Sequence, residues 1–287
     1  MKIFFYLIQF IFIKIFFIIL KLLPLSLSKS LSSTIFRTLG KLSSANKTAI
    51  ENCKFVFPKS NDNEVIKIID DSWKNIGQTV CELLRLGEIL NEKNIILKGL
   101  DNIEEVKKNK SQAIFISIHQ SNWEILLPTL DRQGLRIGAI YRHINNIFLD
   151  KLVFNLRKKT LKSNLNFYTP KGKKSAKDLM EAIKNNFSIV LLIDQKDSAG
   201  KNILFFNKQV KTQIGFLKIA RKFNIPIIPI KNTRLENGKF ELDFFEPIFH
   251  NNKNIDDSKM MNRIHLIIEK WIISNPNQWF WQHKRFN

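Results

Sequence analysis

The chain has 287 residues, and its 46 Lys plus Arg against 25 Asp plus Glu give a formal net charge of +21. With 44% hydrophobic and 25% charged residues, the composition is that of a folded protein and excludes wholesale disorder. Two cysteines exclude a disulfide framework and a cysteine-based zinc site, and the positive charge favours an anionic partner such as nucleic acid, acidic lipid head groups or an acidic protein.

The N-terminal segment 3–23 is almost wholly apolar and is long enough to cross a bilayer core as a helix. Lys14 and Lys21 interrupt it on one helical face, from which they can extend toward the lipid head groups. A cleaved signal peptide is the alternative, but only one basic residue precedes the run and lysines lie within it. We therefore predict a retained membrane anchor over 1–24. More basic residues follow the span than precede it, so the body is expected on the cytoplasmic side of the inner membrane.

A helical region, 25–94, is predicted after the anchor. Segment 25–57 carries a stripe of apolar residues at helical spacing, which suits an amphipathic helix on the membrane or an ordinary packing helix. Segment 62–90 repeats apolar residues with a period near 3.6 and predicts one long helix. The region is membrane-associated under the first interpretation of 25–57.

From residue 95 to 287, short β-branched runs alternate with helical stretches. The predicted strands are 113–118, 136–141, 188–193, 225–230 and 240–245, and the predicted helices are 122–133, 145–158, 173–186 and 213–223. Alternation of this kind predicts an α/β core with a mostly parallel central sheet flanked by helices. Ligands in such sheets usually bind at the carboxyl ends of the strands.

His119 ends the first of these strands, and Glu124 falls in the first turn of the next helix. Residues five apart in a regular helix point about 140° apart, so the two side chains can meet only if His119 lies in the turn before the helix. A carboxylate there would orient the imidazole, whose other nitrogen could accept a proton from a hydroxyl. The N–H groups at the helix start, which Ser121 or Asn122 can cap, could stabilise an oxyanion.

Other interpretations of this motif compete with a catalytic pair. The simplest is that His119 only caps an element. A metal site fits poorly, because the five histidines are scattered and no two lie four residues apart. A Ser-His-Asp hydrolase lacks its Gly-x-Ser-x-Gly turn. A basic nucleic-acid-binding protein is disfavoured by the apolar N-terminus and by the lack of a zinc finger, an RNP-type motif or a basic helix run.

The segment His119-Gln-Ser-Asn-Trp-Glu124 resembles the H-x4-D/E block of glycerolipid-type acyltransferases, in the H-x4-E form of the bacterial lipid A biosynthesis (lauroyl/myristoyl) acyltransferase family. Further blocks resemble this family in the same order: Tyr141-Arg142 with Asn146, Asp194-Gln195 with Gly200 and Phe205-Phe206, the strand Ile225–Pro229, and the ending Pro276-Asn-Gln-Trp-Phe-Trp-Gln-His-Lys-Arg-Phe286. The resemblance spans the chain, and its ending is specific because two tryptophans, a histidine and basic residues rarely coincide at fixed spacing. Ser121 stands where glycine is common in the family.

The resemblance implies that His119 and Glu124 are the catalytic pair of an O-acyltransferase. His119 would take the proton of the acceptor hydroxyl, and Glu124 would orient His119. The implied donor is an acyl carrier protein thioester, and the implied acceptor is a lipid A precursor, an anionic glycolipid, at the membrane. No cofactor, metal or nucleic acid is expected. Cys53 and Cys81 are expected to be reduced thiols without a role.

Six further residues are assigned to substrate binding: Arg142, Asn122, Asp194, Gln195, Lys284 and Arg285. A guanidinium binds phosphate oxygens in pairs, which favours Arg142 as a phosphate ligand over a surface ion pair. Asp194 and Gln195 end an apolar strand. The carboxylate would repel a phosphate unless it holds a base or a sugar hydroxyl, so Asp194 is assigned an orienting role, with a structural role as the alternative. Lys284 and Arg285, together with His283, would add positive charge for phosphate beside aromatic residues that close the core.

Two alternatives to this function stay open. Within enzymes, the acceptor could be another phosphoglycolipid or a lysophospholipid. Outside enzymes, the chain could be a basic lipid- or nucleic-acid-binding protein without catalysis, which a measurement of acyl transfer would distinguish.

Overall fold

The structure is a computed structural model that describes residues 1–109, 111–170, 173–251 and 255–286. Its helices and strands follow one another as α1 (Lys2–Leu22), α2 (Leu25–Lys41), α3 (Ser44–Val56), α4 (Asp62–Leu84), α5 (Leu86–Ile89), β1 (Ile95–Lys98), α6 (Asp101–Lys108), β2 (Ile114–Ser117), α7 (Leu126–Arg132), β3 (Ile137–Tyr141), α8 (Ile147–Lys158), β4 (Phe167–Pro170), α9 (Lys173–Lys184), β5 (Ser188–Leu192), β6 (Lys201–Phe205), β7 (Lys208–Thr212), α10 (Gly215–Phe223), β8 (Ile227–Arg234), β9 (Phe240–Phe244) and α11 (Asp257–Ser274). Short 3-10 turns occupy Glu92–Asn94, Trp123–Ile125 and Pro276–Gln278.

A central sheet has the strand order β1-β9-β8-β2-β5-β3-β4. Its neighbouring strands are parallel except for β8 and β9, which are antiparallel. The predicted α/β class with a mostly parallel sheet is therefore confirmed. The five predicted strands correspond to β2, β3, β5, β8 and β9. Strands β6 and β7 form a separate antiparallel hairpin.

Helices cover both faces of the sheet. Successive side chains of a strand point to opposite faces, and apolar side chains are buried on each. On one face, Phe115, Ala139 and Val190 pack with residues of α4 to α8. On the other face, Ile116 and Ile189 pack with residues of α9, α10 and α11. The continuous apolar runs in the sequence are the consequence of this burial on both sides.

Helix α1 is long and apolar enough to cross a membrane, the one helix of the described residues that meets this criterion. It is packed along the body of the protein as well. The Asn146 amide donates to the carbonyl oxygen of Tyr6 at 2.8 Å, and the rings of Phe10 and Phe148 lie 5.7 Å apart. Ser28 Oγ donates to the Leu20 carbonyl at 2.6 Å, which fixes α2 against the end of α1.

The predicted helix over 25–57 is two helices, since the chain breaks between α2 and α3. Helix α2 contacts α4 through small residues. Ser32 Oγ donates to the Gly77 carbonyl oxygen at 2.7 Å. A Cβ atom on Gly77 would lie only 2.7 Å from the backbone oxygen of Ser32, so the two helices can approach this closely only with glycine there. Leu27 and Leu39, from the predicted apolar stripe, are 56% and 61% exposed. The packed face of α2 is thus its serine and glycine face, and part of the leucine stripe is left uncovered.

Candidate active site

The turn after β2 brings His119 to the carboxyl edge of the sheet. Ser121 adopts a left-handed conformation, with φ of 56°, which reverses the chain before Asn122. Asn122 Oδ1 accepts from the Glu124 N–H at 3.1 Å and caps the 3-10 turn Trp123–Ile125. The expected placement of His119 before this turn and Glu124 inside it is found, although the α-helix itself begins at Leu126, later than predicted.

Asp194 is the carboxylate that holds His119. Its Oδ1 lies 2.7 Å from His119 Nδ1, and its Oδ2 accepts from the His119 backbone N–H at 3.0 Å and from Trp279 Nε1 at 2.8 Å. Burial raises the pKa of Asp194, but the charge of His119 and the hydrogen bonds from His119 and Trp279 outweigh it, so that pKa lies below its ordinary value. Because an ionised carboxylate only accepts, the proton of a neutral His119 lies on Nδ1, and Nε2 is the nitrogen that can accept a proton.

The Glu124 carboxylate is bonded to Arg157 and Trp123, whereas the predicted catalytic pair would need it to contact His119. Arg157 on α8 donates two hydrogen bonds to the Glu124 carboxylate, from Nε at 2.7 Å and from Nη2 at 2.6 Å, and Trp123 Nε1 donates a third at 3.2 Å. Burial lowers the pKa of Arg157, yet the charge and hydrogen bonds of Glu124 outweigh it and hold the pKa above its ordinary value. Asp194 reaches the His119 ring because β5 ends beside β2.

A buried ionic cluster contacts the turn that carries His119 on the side of α4. Glu82 on α4 is fully buried and is held by both terminal nitrogens of Arg234 and by Lys29 Nζ at 2.8 Å. It also accepts from Asn122 Nδ2 at 2.9 Å. Asn232 Nδ2 donates to the Asn122 carbonyl at 2.7 Å. Asn122 is therefore held on every side by protein groups.

A cavity of about 910 Å³ opens in front of His119. Trp123 and Phe280 flank the imidazole, with ring centroids 5.4 and 6.2 Å away. Gln195 Nε2 lies 3.4 Å from His119 Nε2, and Arg142 lines the same cavity as an exposed residue. The predicted substrate residues Gln195 and Arg142 therefore face the space in front of His119.

The other predicted substrate residues lie elsewhere. Asn122 is fully buried and its amide is used by Glu82 and Glu124, so it does not reach the cavity. Asp194, at 2% exposed, lies behind His119 with its carboxylate on the imidazole, and it does not line the cavity. Arg285 is buried, and its guanidinium donates hydrogen bonds to the Lys211 carbonyl and to the Thr212 hydroxyl. These bonds connect the C-terminal segment to the β6–β7 hairpin. Lys284 is exposed and lines a separate cleft beside α3.

Sequence reasoning missed Arg157 and Tyr168, which line the cavity from α8 and β4 but carry no local motif. His283, which was expected to add positive charge, also lines the cavity, with Nε2 accepting the Lys196 N–H at 2.9 Å. Burial lowers the pKa of His283 to about 4, so this histidine is neutral at pH 7. Within the described residues, no group of three or more His, Cys, Asp or Glu side chains could hold a metal ion.

An α/β protein with a histidine held by a buried carboxylate at the carboxyl edge of its sheet, facing a cavity, has the geometry of an enzyme that uses an oriented histidine as a base. The family model for bacterial lipid A biosynthesis acyltransferases matches residues 2–287, so the chain belongs to that family and is an acyltransferase.

Relatives agree with this assignment at low identity. The chain is 23% identical to a lipid A biosynthesis lauroyltransferase of Escherichia coli, over 84% of this chain and 78% of that protein. It is 22% identical to lipid A biosynthesis acyltransferase 2 of Shigella flexneri, over 91% and 84%. It is also 22% identical to the lipid A biosynthesis myristoyltransferase of Escherichia coli, over 85% and 75%. Among solved structures, the 1-acyl-sn-glycerophosphate acyltransferase PlsC of Thermotoga maritima is similar, with a TM-score of 0.41 and 14% identity over 85% of this chain and 99% of that one.

Proposed function

We propose that this protein is a membrane-anchored O-acyltransferase that moves a fatty acyl group from an acyl carrier protein thioester to a hydroxyl of a lipid A precursor. The observation that carries the proposal is His119, whose Nδ1 is held by Asp194 at 2.7 Å while its ring faces a large apolar cavity. A hydroxyl placed in that cavity meets a general base, and an acyl chain meets an apolar wall.

His119 Nε2 removes the proton of the acceptor hydroxyl, and the oxygen forms a bond to the thioester carbonyl carbon. The Gln195 amide, 3.4 Å from the same ring nitrogen, donates a hydrogen bond to the oxyanion that develops on the carbonyl oxygen. Collapse of this intermediate breaks the carbon–sulfur bond. The thiolate leaves with the proton from His119, so the products are an ester and a free thiol, and the histidine is restored.

Asp194 keeps the proton of neutral His119 on Nδ1 and stabilises the imidazolium that forms during the reaction. Glu124 does not contact the His119–Asp194 pair directly. Its two hydrogen bonds with Arg157 fix α8 against the turn that carries His119 and Trp123. We propose that Glu124 holds the wall of the reaction centre through this ion pair, and that its loss disturbs the position of the substrate.

The charge of the chain, its apolar surface and its relatives support the proposed substrates. Arg142 presents a guanidinium at the cavity, which suits a phosphate on the acceptor. The net charge of +21 suits an acidic carrier protein and anionic lipid. Helix α1, together with the exposed Leu27 and Leu39 of α2, suits attachment to the inner membrane with the body on the cytoplasmic side. Acylation of another phosphoglycolipid or a lysophospholipid is the second candidate, and it uses the same His119 chemistry.

The experiment is mass spectrometry of outer-membrane glycolipid from cells with and without this protein, followed by transfer assays with the purified enzyme. The lipid A precursor is expected to gain one ester-linked chain when the protein is present. Transfer is expected to prefer the carrier-linked donor over the coenzyme A-linked donor and to slow as ionic strength rises. An unchanged glycolipid together with acylation of a lysophospholipid would replace the proposed acceptor with the second candidate.

A further inference from the structure

One face of helix α1 is packed along the body of the protein. Its residues are partly or fully buried and recur at helical spacing: Tyr6, Gln9, Ile13, Phe16 and Leu20. At one end, the Asn146 amide at the start of α8 donates to the Tyr6 carbonyl, and at the other end Leu20 packs on Cys81 and Leu84 of α4. Contact with the body therefore extends over about 20 Å of a helix about 30 Å long.

The opposite face of α1 is apolar and uncovered. We call it the outer face, and its exposed residues also recur at helical spacing: Phe5, Ile8, Phe12, Ile15 and Ile19. Ile147, at the start of α8 and next to Asn146, is exposed as well and extends this apolar surface. A contiguous apolar surface of this kind marks contact with a membrane or with another protein.

Two exposed lysines, Lys14 and Lys21, lie seven residues apart along one edge of the outer face, next to the packed side. Lys14 is near the middle of α1, so in a helix that crossed a bilayer its charge would lie near the centre of the hydrocarbon core, where a charge is costly. In a helix that lies along the surface, both lysines are at the level of anionic head groups.

Helix α8 opposes a crossing for a second reason. It runs beside α1 from Asn146, which contacts Tyr6, to Leu156, which packs in the same cluster as Leu20. Along this length α8 exposes Lys151, Asn155 and Lys158. If α1 crossed the bilayer with its contacts intact, α8 would carry these polar side chains toward the hydrocarbon core.

We propose that α1 lies in the plane of the membrane surface, with its outer face in the hydrocarbon of a single leaflet of an anionic bilayer and both of its ends on the side of the body. This inference rests on the membrane attachment in the proposed function and specifies an attachment that does not cross the bilayer. It brings Arg142, which lines the cavity shortly before Asn146, close to the level of the lipid phosphates.

Depth-dependent fluorescence quenching tests this arrangement. Phe5→Cys, Phe12→Cys and Ile19→Cys each place one accessible thiol on the outer face of the full chain, and Leu266→Cys places one on an exposed position of α11 as the matched control. The native Cys53 and Cys81 are buried, so a thiol-reactive probe labels the added cysteine. Each labelled protein is mixed with vesicles of phosphatidylethanolamine and phosphatidylglycerol that carry a quencher either near the head group or deep in the acyl chains.

Equal and shallow quenching at the three positions of α1 is expected, with none at the control, because the three lie along one line parallel to the surface. Deeper quenching at residue 12 than at residues 5 and 19 would show that α1 crosses the bilayer and would overturn the inference. Absence of quenching at all three would also overturn it. Size-exclusion chromatography would then show whether a second copy of the chain covers the outer face.

A binding measurement with the same vesicles adds a second criterion. Phe12→Ser is expected to weaken binding about tenfold, because one phenyl ring no longer enters the hydrocarbon, whereas Leu266→Ser should bind as the wild type does. Binding of Phe12→Ser at wild-type strength would contradict the placement of the outer face in lipid. Acyl transfer is assayed on the same preparations. Equal shallow quenching without transfer would refute the proposed reaction alone, and transfer by a protein whose α1 crosses the bilayer would refute this inference alone.

Discussion

Replacing Asp194 by Asn tests which carboxylate serves His119. The amide is nearly isosteric, but it lacks the charge and can present an N–H to Nδ1, which favours the wrong tautomer. The Nδ1–Oδ1 distance is 2.7 Å, and the two charge centres of an imidazolium and a carboxylate in such contact are about 4 Å apart. Their attraction is about 4 kcal/mol at an effective dielectric constant of ~20, which corresponds to a loss of turnover of about 10³-fold.

The assay is acyl transfer by purified variants, with circular dichroism to verify the fold. Asp257→Asn is the matched control, because Asp257 also pairs with a histidine, His250 at 2.8 Å, away from the cavity lining. In a His119→Ala background, Asp194→Asn should cost little more, since the two residues act as one unit, whereas Glu124→Gln should lower the residual rate further. A folded Asp194→Asn protein with turnover within a few-fold of the wild type would refute the assignment of Asp194 as the partner of His119.

Further predictions concern the support of the site. Glu82→Gln should lower the free energy of unfolding by about 3–5 kcal/mol, because the buried Arg234 loses its counter-charge. Asp70→Asn should cost less than about 1 kcal/mol, because its partners Arg37 and Lys41 are about half exposed. Thermal unfolding compares the two variants. Ser121→Gly should leave the melting temperature unchanged or raise it, since glycine relieves about 1 kcal/mol of left-handed strain. His265 is buried, and burial lowers its pKa to about 4. As the pH drops from 6.5 to 4 the unfolded chain takes up a proton at this residue before the folded chain does, so the free energy of unfolding should fall by about 3 kcal/mol. A His265→Asn variant should lose less free energy of unfolding over the same pH range.

The sequence pattern predicted the central strands of the sheet better than the strands at its edges. The continuous apolar runs of β2, β5 and β8 are buried on both faces and are unambiguous, as their burial confirms. Strands β1 and β4 lie at the edges of the sheet and were missed, because four residues are too few for a clear strand pattern. The break between α2 and α3 was missed because the apolar spacing continues across it.

The candidate site could be predicted from sequence as far as one strand and its turn. His119 and the capping position are local features, and both were identified. The partner of His119 lies 75 residues away on β5, and its pairing depends on β2 and β5 being neighbours, which spacing alone does not show. The bond between Glu124 and Arg157 likewise joins segments 33 residues apart. Asn122 has the residue type of a ligand, but its complete burial is a tertiary property.

We propose that His119, held by Asp194, catalyses the transfer of an acyl group to a lipid hydroxyl. The most direct measurement incubates purified protein with a carrier-linked acyl donor and the lipid A precursor and follows the acceptor mass. We expect a product heavier by one ester-linked acyl chain, formed by the wild type and reduced by roughly 10²–10⁴ in a folded His119→Ala variant. Product formed at near-normal rate by that variant, or no product from the folded wild type, would contradict it.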